Sequence, residues 1–392
     1  NFLNRLIFDE ILSTFLINSK IRKTIKKIKK NKKKFNNDEM IKIKNRIKFR
    51  LTNDQLVAID QINNDLKSNQ KMFRLLQGDV GSGKTIVSFI VAMNVVSSGF
   101  QVCFMAPTEV LAKQHYMLAK KLFNKNINIK LLTSKTEYRE RKEILSDLDN
   151  NIINIVIGTH SLFQEKIKYH NLGLIIIDEQ HKFGVKQRKK LSDKGGKNCD
   201  ILVMSATPIP RTMIMTIFGD MDISIIKNKP KLRKEIKTYS KLETKIRDII
   251  KFIQKQISQQ NQVFWVCPLI EESKKVDHQS SIKRYDELKK IFKNKVGLLH
   301  GALNSEEKSI ILQKFLNKKI DILVSTTVIE VGIDFPNANT IIIENANKFG
   351  LSQLHQLRGR VGRGNKESYC ILMFKSNLSE NAKKRINILK ST

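Results

Sequence analysis

Short runs of Val, Ile and Leu recur along this chain with helix-length segments between them, and that alternation constrains the fold more than any other feature. The first series is Phe73–Gln77, Gln101–Met105, Ile155–Gly158, Leu174–Asp178 and Ile201–Ser205. The second is Val263–Cys267, Val296–Leu299, Ile322–Ser325, Thr340–Glu344 and Ser368–Phe374. Continuous apolar strands separated by helices build parallel sheets covered on both faces. The charged, Pro-containing stretch Lys227–Lys237 breaks the two series and suits an interdomain linker. The expectation is α/β, with one parallel-sheet domain at 49–230 and another at 231–392. Phe2–Ile17 has apolar residues at near-helical spacing and precedes a Lys-rich run, so 1–48 reads as an N-terminal helical extension.

A chain of 392 residues, 41% of them hydrophobic, has enough apolar surface for two or three cores. Cys103, Cys199, Cys267 and Cys370 show no CxxC spacing, which argues against a zinc ribbon or a disulfide framework and suits a reducing cytoplasm. No apolar stretch reaches membrane-spanning length, and no signal-peptide core follows the first residues. The net charge of +35 points to a polyanionic partner, although the abundance of Lys, Asn and Ile is also the mark of an AT-rich genome. Residues 1–50 hold 16 Lys and Arg against 4 Asp and Glu, densest between Arg22 and Lys34. That run reads either as a solvated helix or linker or as a nucleic-acid arm.

Directly after the first apolar run stands GDVGSGKT, Gly78 to Thr85, which fits the phosphate-binding loop GxxxxGK followed by Ser or Thr. Such a loop crowds backbone N–H groups from Gly78, Asp79, Val80, Gly81, Ser82 and Gly83 around phosphates at a helix N-terminus. Lys84 would reach the terminal phosphates and Thr85 would ligate Mg²⁺, so a nucleoside triphosphate is the expected ligand. The run Leu174–Asp178 ends in adjacent carboxylates, Asp178 and Glu179, at the edge of the sheet where ligands of α/β folds bind. Asp178 would hold Mg²⁺, and Glu179 would orient and deprotonate the water that attacks the γ-phosphate. The plainer alternative is an acidic pair at a helix N-terminus.

With DEQH at Asp178–His181 and SAT at Ser205–Thr207, the chain resembles the superfamily 2 helicases and translocases over most of its length. The resemblance implies two tandem RecA-like domains using ATP. It makes Ser205 and Thr207, with Gln180, His181 and Gln356, residues that couple nucleotide state to domain movement. It also makes Gln55, in FRLTNDQ, an adenine reader, while Thr52 reads equally well as a helix N-cap. APTEVLAKQH (Ala106–His115) and GTHSLFQ (Gly158–Gln164) each follow a strand and offer small or hydroxyl residues at a helix entrance, which suits phosphodiester contacts. By resemblance Thr108, Glu109, Thr159 and His160 are the nucleic-acid contacts of the first domain. His115, His160 and His181 have no metal-site spacing and read as hydrogen-bonding residues.

In the second domain, QLRGRVGR (Gln356–Arg363) sets Arg360 and Arg363 three residues apart, one turn if helical. The resemblance makes them arginine fingers that reach the γ-phosphate across the cleft between domains. A basic turn on nucleic acid is the alternative. TTVIEVGIDFPNA (Thr326–Ala338) resembles the helicases' fifth motif, with Thr326 and Thr327 at the nucleic-acid backbone and Gly332 and Asp334 near the nucleotide.

The longer strings MSATPIPRTM (Met204–Met213), DEQHKFGVKQR (Asp178–Arg188), NKFGLSQLHQLRGRVGRG (Asn347–Gly364) and VCPLIEES (Val266–Ser273) resemble the RecG family. That family's known action implies a double-stranded DNA translocase working on stalled forks and Holliday junctions, monomeric, with ATP closing the domains and hydrolysis reopening them. The transcription-repair coupling factors (Mfd) share PIPRT and QLRGRVGR but usually carry DEEH, so Gln180 favours the former. The family's wedge domain is expected before Asn1 and its helical hairpin after Thr392. RLIFDEIL (Arg5–Leu12) resembles the helix that follows the wedge, and a chain opening on Asn rather than Met fits a motor-core fragment. Such a core is expected to have weak or uncoupled ATPase and poor fork unwinding, which a fork-unwinding assay checks. The other readings are an RNA helicase and a nonhydrolytic nucleic-acid-binding remnant; Lys84, Thr85, Asp178, Glu179, Arg360 and Arg363 all being present argues against the last.

Overall fold

Alternate residues of the apolar runs enter two different cores, which is why each run is apolar throughout. The computed structural model describes residues 29–35, 38–47, 49–164, 166–179, 196–206, 221–227, 235–268, 274–326, 335, 337–362, 366–376 and 378–391, with scattered positions between 5 and 16. It divides into two units, Asn1–Pro230 and Lys231–Thr392. The first carries strands β1 (Phe73–Gly78), β2 (Gln101–Met105), β3 (Ile129–Leu132), β4 (Ile155–Gly158), β5 (Leu172–Ile177), β6 (Asp200–Ser205) and β7 (Asp222–Ile226). They form one parallel sheet in the order β3-β4-β2-β5-β6-β1-β7. Its helices are α1 (Asp38–Arg46), α2 (Asn53–Lys67), α3 (Lys84–Ser97), α4 (Glu109–Leu122) and α5 (Tyr138–Asp149).

Successive strand residues point to opposite faces. Val102, Phe104, Leu174, Ile176, Leu202 and Met204 therefore pack with residues of α2, α3 and α4. Their neighbours Cys103, Met105, Ile175, Ile177, Ile201 and Val203 pack on the other face with Ile144 and Leu148 of α5. Helix α3 is buried almost all round, from Val87 to Val96, as expected of a helix with no polar stripe. Ile43 and Ile47, from α1 and its end, join the same core as α2 and α3.

The second unit is built likewise from β8 (Ile236–Leu242), β9 (Gln262–Val266), β10 (Val296–Leu299), β11 (Ile322–Ser325), β12 (Ala338–Ile343) and β13 (Ser368–Phe374). These are parallel in the order β10-β11-β9-β12-β13-β8. Phe264, Val266, Leu323, Ile341 and Ile343 face one core, and Val263, Trp265, Ile322, Val324 and Ile342 the other. Its helices are α6 (Ile246–Ser258), α7 (Lys274–Phe292), α8 (Ser305–Leu316), α9 (Leu351–Arg358) and α10 (Glu380–Ser391).

Three strands lie outside the two apolar series: β3, β7 and β8. Each is a sheet edge, where one side of the strand is left open and a continuous apolar run is not required. β8 reads Ile-Lys-Thr-Tyr-Ser-Lys-Leu and is only partly buried; it takes Ile236 and Lys237 out of the stretch expected to be linker, whose residues 228–234 lie outside the described set. Of the described lysines in the Lys-rich run, Lys29, Lys32 and Lys34 are exposed, as either reading allows, but two are not. Lys30 and Lys33 are buried, each with Nζ at 2.6 Å from Asp200 Oδ2 at the start of β6. Asp200 Oδ1 accepts the Met72 N–H at 2.7 Å as well. A carboxylate in this core needs charged partners, and the run supplies them. Burial pulls the Lys30 ammonium below its ordinary value, against the opposing pull of Asp200.

All four cysteines are buried and free, and burial pushes the Cys199 and Cys370 thiols up to about 12. Among the described residues no helix is long and apolar enough to cross a membrane.

Candidate functional site

Strand β1 ends at Gly78 between β6 and β7, and the loop that follows turns at once into α3. Two glycines are required there by space. A Cβ on Gly78 would lie 2.6 Å from Ser82 Oγ and 2.9 Å from the Ile226 carbonyl oxygen. One on Gly83, whose φ is +89°, would lie 2.3 Å from Gln55 Nε2. Lys84 opens α3 and folds back across the loop, its Nζ donating to the carbonyls of Gly78 at 2.5 Å and Asp79 at 3.0 Å. Ser82 Oγ is buried with no hydrogen-bond partner among the described residues. A loop at a helix N-terminus with no room for a Cβ at Gly78 and Gly83, a lysine folded over it and a buried hydroxyl unspent has the chemistry to receive a phosphate chain.

Gln55 holds this loop in place. Its Oε1 accepts the Thr52 N–H at 2.9 Å while Thr52 Oγ1 accepts the Gln55 N–H at 3.3 Å, a reciprocal cap on α2. Its Nε2 donates to the Ser82 carbonyl at 2.7 Å. Thr52 is thus the N-cap that one reading of FRLTNDQ expected, and both ends of the Gln55 amide are engaged within the protein.

Asp178 follows β5, separated from β1 only by β6. Its N–H donates to Met105 O at 2.8 Å, and its Oδ1 accepts the N–H of Glu179 at 3.0 Å. Its Oδ2 lies 2.9 Å from Nε2 of His115 on α4. Glu179 takes the left-handed conformation, φ +51°, which turns the chain sharply at the sheet edge. Ser205 ends β6 in register with Gln77 of β1. The phosphate loop, the acidic pair and Ser205 therefore share one edge, as strand order required. Magnesium is held by one or two carboxylates plus phosphate oxygens rather than by a full protein cage, and a hydroxyl at Thr85 with a carboxylate at Asp178 on one sheet edge is a donor set of that kind.

The expected nucleic-acid contacts gather on the other half of the same edge. Ala106, after β2, donates its N–H to Gly158 O at the end of β4 at 2.9 Å, which brings Thr108 and Glu109 beside Thr159 and His160. Thr108 caps α4, its Oγ1 accepting from Leu111 N at 3.4 Å. Glu109 accepts from the Ser134 hydroxyl. Thr159 is buried and His160 exposed. In the second unit Thr326 follows β11, buried, with Oγ1 unpartnered among the described residues. Helix α9 ends at Arg358, so Arg360 lies in the turn beyond it. Arg360 is buried and Gln356 half-buried. Gln180, His181, Thr207, Thr327, Gly332, Asp334 and Arg363 lie outside the described residues.

Two constellations escaped the sequence reading. His115 was expected to hydrogen-bond, but nothing in its spacing named Asp178 as its partner. In the second unit Glu344 accepts from Trp265 Nε1 at 2.8 Å and from Arg284 Nη2 at 2.6 Å, with the Arg284 guanidinium 5.2 Å from the Trp265 ring. The first acidic residue after an apolar run was the one available signal.

Comparison with known proteins agrees with this layout. The family model for DEAD/DEAH box helicases matches residues 52–216, and that for the helicase conserved C-terminal domain matches 244–365. The chain is 46% identical over 364 residues to the ATP-dependent DNA helicase RecG of Bacillus subtilis (strain 168), covering 92% of this chain and 53% of that protein. It is 46% identical over 388 residues to the RecG of Thermotoga maritima, covering 97% and 49%. A solved structure of RecG bound to a three-way DNA junction superposes with a TM-score of 0.85 at 42% identity, covering 99% of this chain and 51% of that one. Mss116p bound to single-stranded RNA matches with a TM-score of 0.70 at 20% identity, covering 91% and 75%, and shares the fold alone. The chain spans about half the length of the curated relatives it matches. Two parallel-sheet units carrying these motifs in this order, at 46% identity to curated members, place the chain in the RecG family of superfamily 2 helicases.

Proposed function

We propose that this chain is the ATP-driven motor of a translocase that acts on branched duplex DNA in recombination and repair. The observation that carries the reading is the sharing of one sheet edge: phosphate loop and acidic pair on the β5-β6-β1 half, nucleic-acid motifs on the β3-β4-β2 half. Support for duplex DNA over RNA comes from the 42% identity to a protein solved on a three-way DNA junction.

In this reading the loop N–H groups and Lys84 take the phosphates, exchanging the lysine's bonds to Gly78 and Asp79 for phosphate oxygens. Thr85 and Asp178 would hold Mg²⁺, which would supply positive charge at the phosphates. Glu179 accepts a proton from the attacking water. Arg360 and Arg363, with Gly332 and Asp334, are assigned to the nucleotide, and Gln180, His181, Ser205, Thr207 and Gln356 to coupling, through the resemblance of their segments. Thr108, Glu109, Thr159, His160, Thr326 and Thr327 are assigned to the DNA backbone on the same ground. The protein acts as a monomer in the cytoplasm.

The test is ATP hydrolysis with no nucleic acid, single-stranded DNA, duplex, three-way junction and RNA, with Lys84→Ala as blank. Stimulation by duplex or junction, even if weak, supports the DNA motor. Stimulation by RNA alone would make the protein an RNA helicase, and turnover unaffected by Lys84→Ala would remove the motor reading.

A further inference from the structure

Helix α4 touches both halves of the sheet edge. Its first turn, capped by Thr108, sits beside Thr159 and His160 on the nucleic-acid half. Roughly 10 Å further along its axis, His115 Nε2 lies 2.9 Å from Asp178 Oδ2. His115 is only 5% exposed and is packed against Phe104 and Phe89, with ring centroids 4.7 and 6.3 Å away. An imidazole in so apolar a pocket requires a partner. An ionised carboxylate offers only lone pairs, so Nε2 carries the proton and donates. With the Glu179 N–H on Oδ1, this bond fixes both oxygens of Asp178.

We propose that His115 is the positioning residue through which α4 couples nucleic-acid contact to the hydrolytic carboxylate of Asp178. The inference rests on the motor reading above. A helix moves as a rigid body over two turns, so a shift of its N-terminus on engaging a DNA backbone is delivered at His115 and hence at Asp178. Groups that orient a metal-binding carboxylate from behind typically govern metal affinity or activity by 10–100-fold.

The experiment compares His115→Phe, which keeps the ring packing and removes the donor, with His115→Gln, which sets an amide N–H near the Nε2 position, and His115→Asn, whose amide falls near Nδ1. One readout is the Mg²⁺ concentration needed for equilibrium binding of a fluorescent ADP analogue, which involves no turnover. The other is the ratio of duplex-stimulated to DNA-free ATP hydrolysis at saturating Mg²⁺. For His115→Phe and His115→Asn the Mg²⁺ midpoint should rise about tenfold or more and the ratio should fall toward one, with His115→Gln restoring both in large part. Folding is checked by thermal melting, and should His115→Phe fail to fold, the Gln–Asn pair decides. If Gln and Asn behave alike, or if a folded His115→Phe keeps both the midpoint and the ratio, the coupling role is wrong while the motor reading stands. A wild-type chain with no hydrolysis, or with hydrolysis that survives Lys84→Ala, would remove the motor reading itself.

Discussion

Glu179 and Gln55 show how much one side chain decides at this edge. Glu179→Gln keeps the size and the left-handed turn but cannot accept a proton. Turnover should fall by roughly 10²–10⁴-fold while the affinity for ATP in a filter-binding assay stays within about twofold. Gln55 permits a sharper test, because its amide is committed at both ends to Thr52 and Ser82. Gln55→Ala should therefore loosen the phosphate loop whatever base the nucleotide carries. Removing two hydrogen bonds worth about 1 kcal/mol each should weaken ATP and GTP binding alike, by up to about thirtyfold, in parallel titrations. If only the preference for ATP over GTP is lost, the residue reads adenine, as its place in FRLTNDQ first suggested.

Elements buried on both faces were readable, and of the edge strands described only β10 was. The continuous runs at β2, β5 and β9 announce themselves because helices cover both sides of the sheet. β8, with Lys237, Ser240 and Lys241 among its seven residues, carries no such mark and becomes a strand only through its full pairing with β13. GDVGSGKT was legible because its spacing is itself the geometry. His115 was not, since its partner Asp178 lies 63 residues away and only the sheet order brings them together. Two lysines of the Lys-rich run teach the same lesson with charge: neither a solvated linker nor a nucleic-acid arm names a buried partner, whereas Lys30 and Lys33 close over Asp200 from 170 and 167 residues away. This clasp fixes the segment before α1 to the first unit. Asp200→Asn should leave two buried ammonium groups without their counter-charge. Urea denaturation should then show a loss of about 3–5 kcal/mol. A loss below about 1 kcal/mol would mean that the lysines reach solvent in the folded protein.

At the scale of the whole chain the issue is how much of the +35 charge meets DNA. The internal ion pairs leave that excess intact, because they set four cations against four carboxylates. Lys30 and Lys33 share Asp200, Arg284 is paired with Glu344 and Glu287, and Arg74 is paired with Asp65. The residues assigned to the DNA backbone are mostly hydroxyls, backbone groups and a histidine at helix entrances, which position a phosphate without adding full charge. Each phosphate neutralised by Lys or Arg contributes about −0.9 to the slope of log K against log salt on duplex DNA. If the fold rather than the composition sets the contact, the slope measured by anisotropy on a short duplex should be shallow, roughly 0 to −3. A slope of about −10 or steeper would mean that surface lysines far from the sheet edge grip the duplex. The basic composition would then be part of the DNA-binding surface and not a by-product of AT-rich codons. Repeating the titration with Thr108→Ala separates the two cases further. Loss of a hydroxyl contact should lower affinity at every salt concentration and leave the slope unchanged, because no counterion is released by a neutral donor.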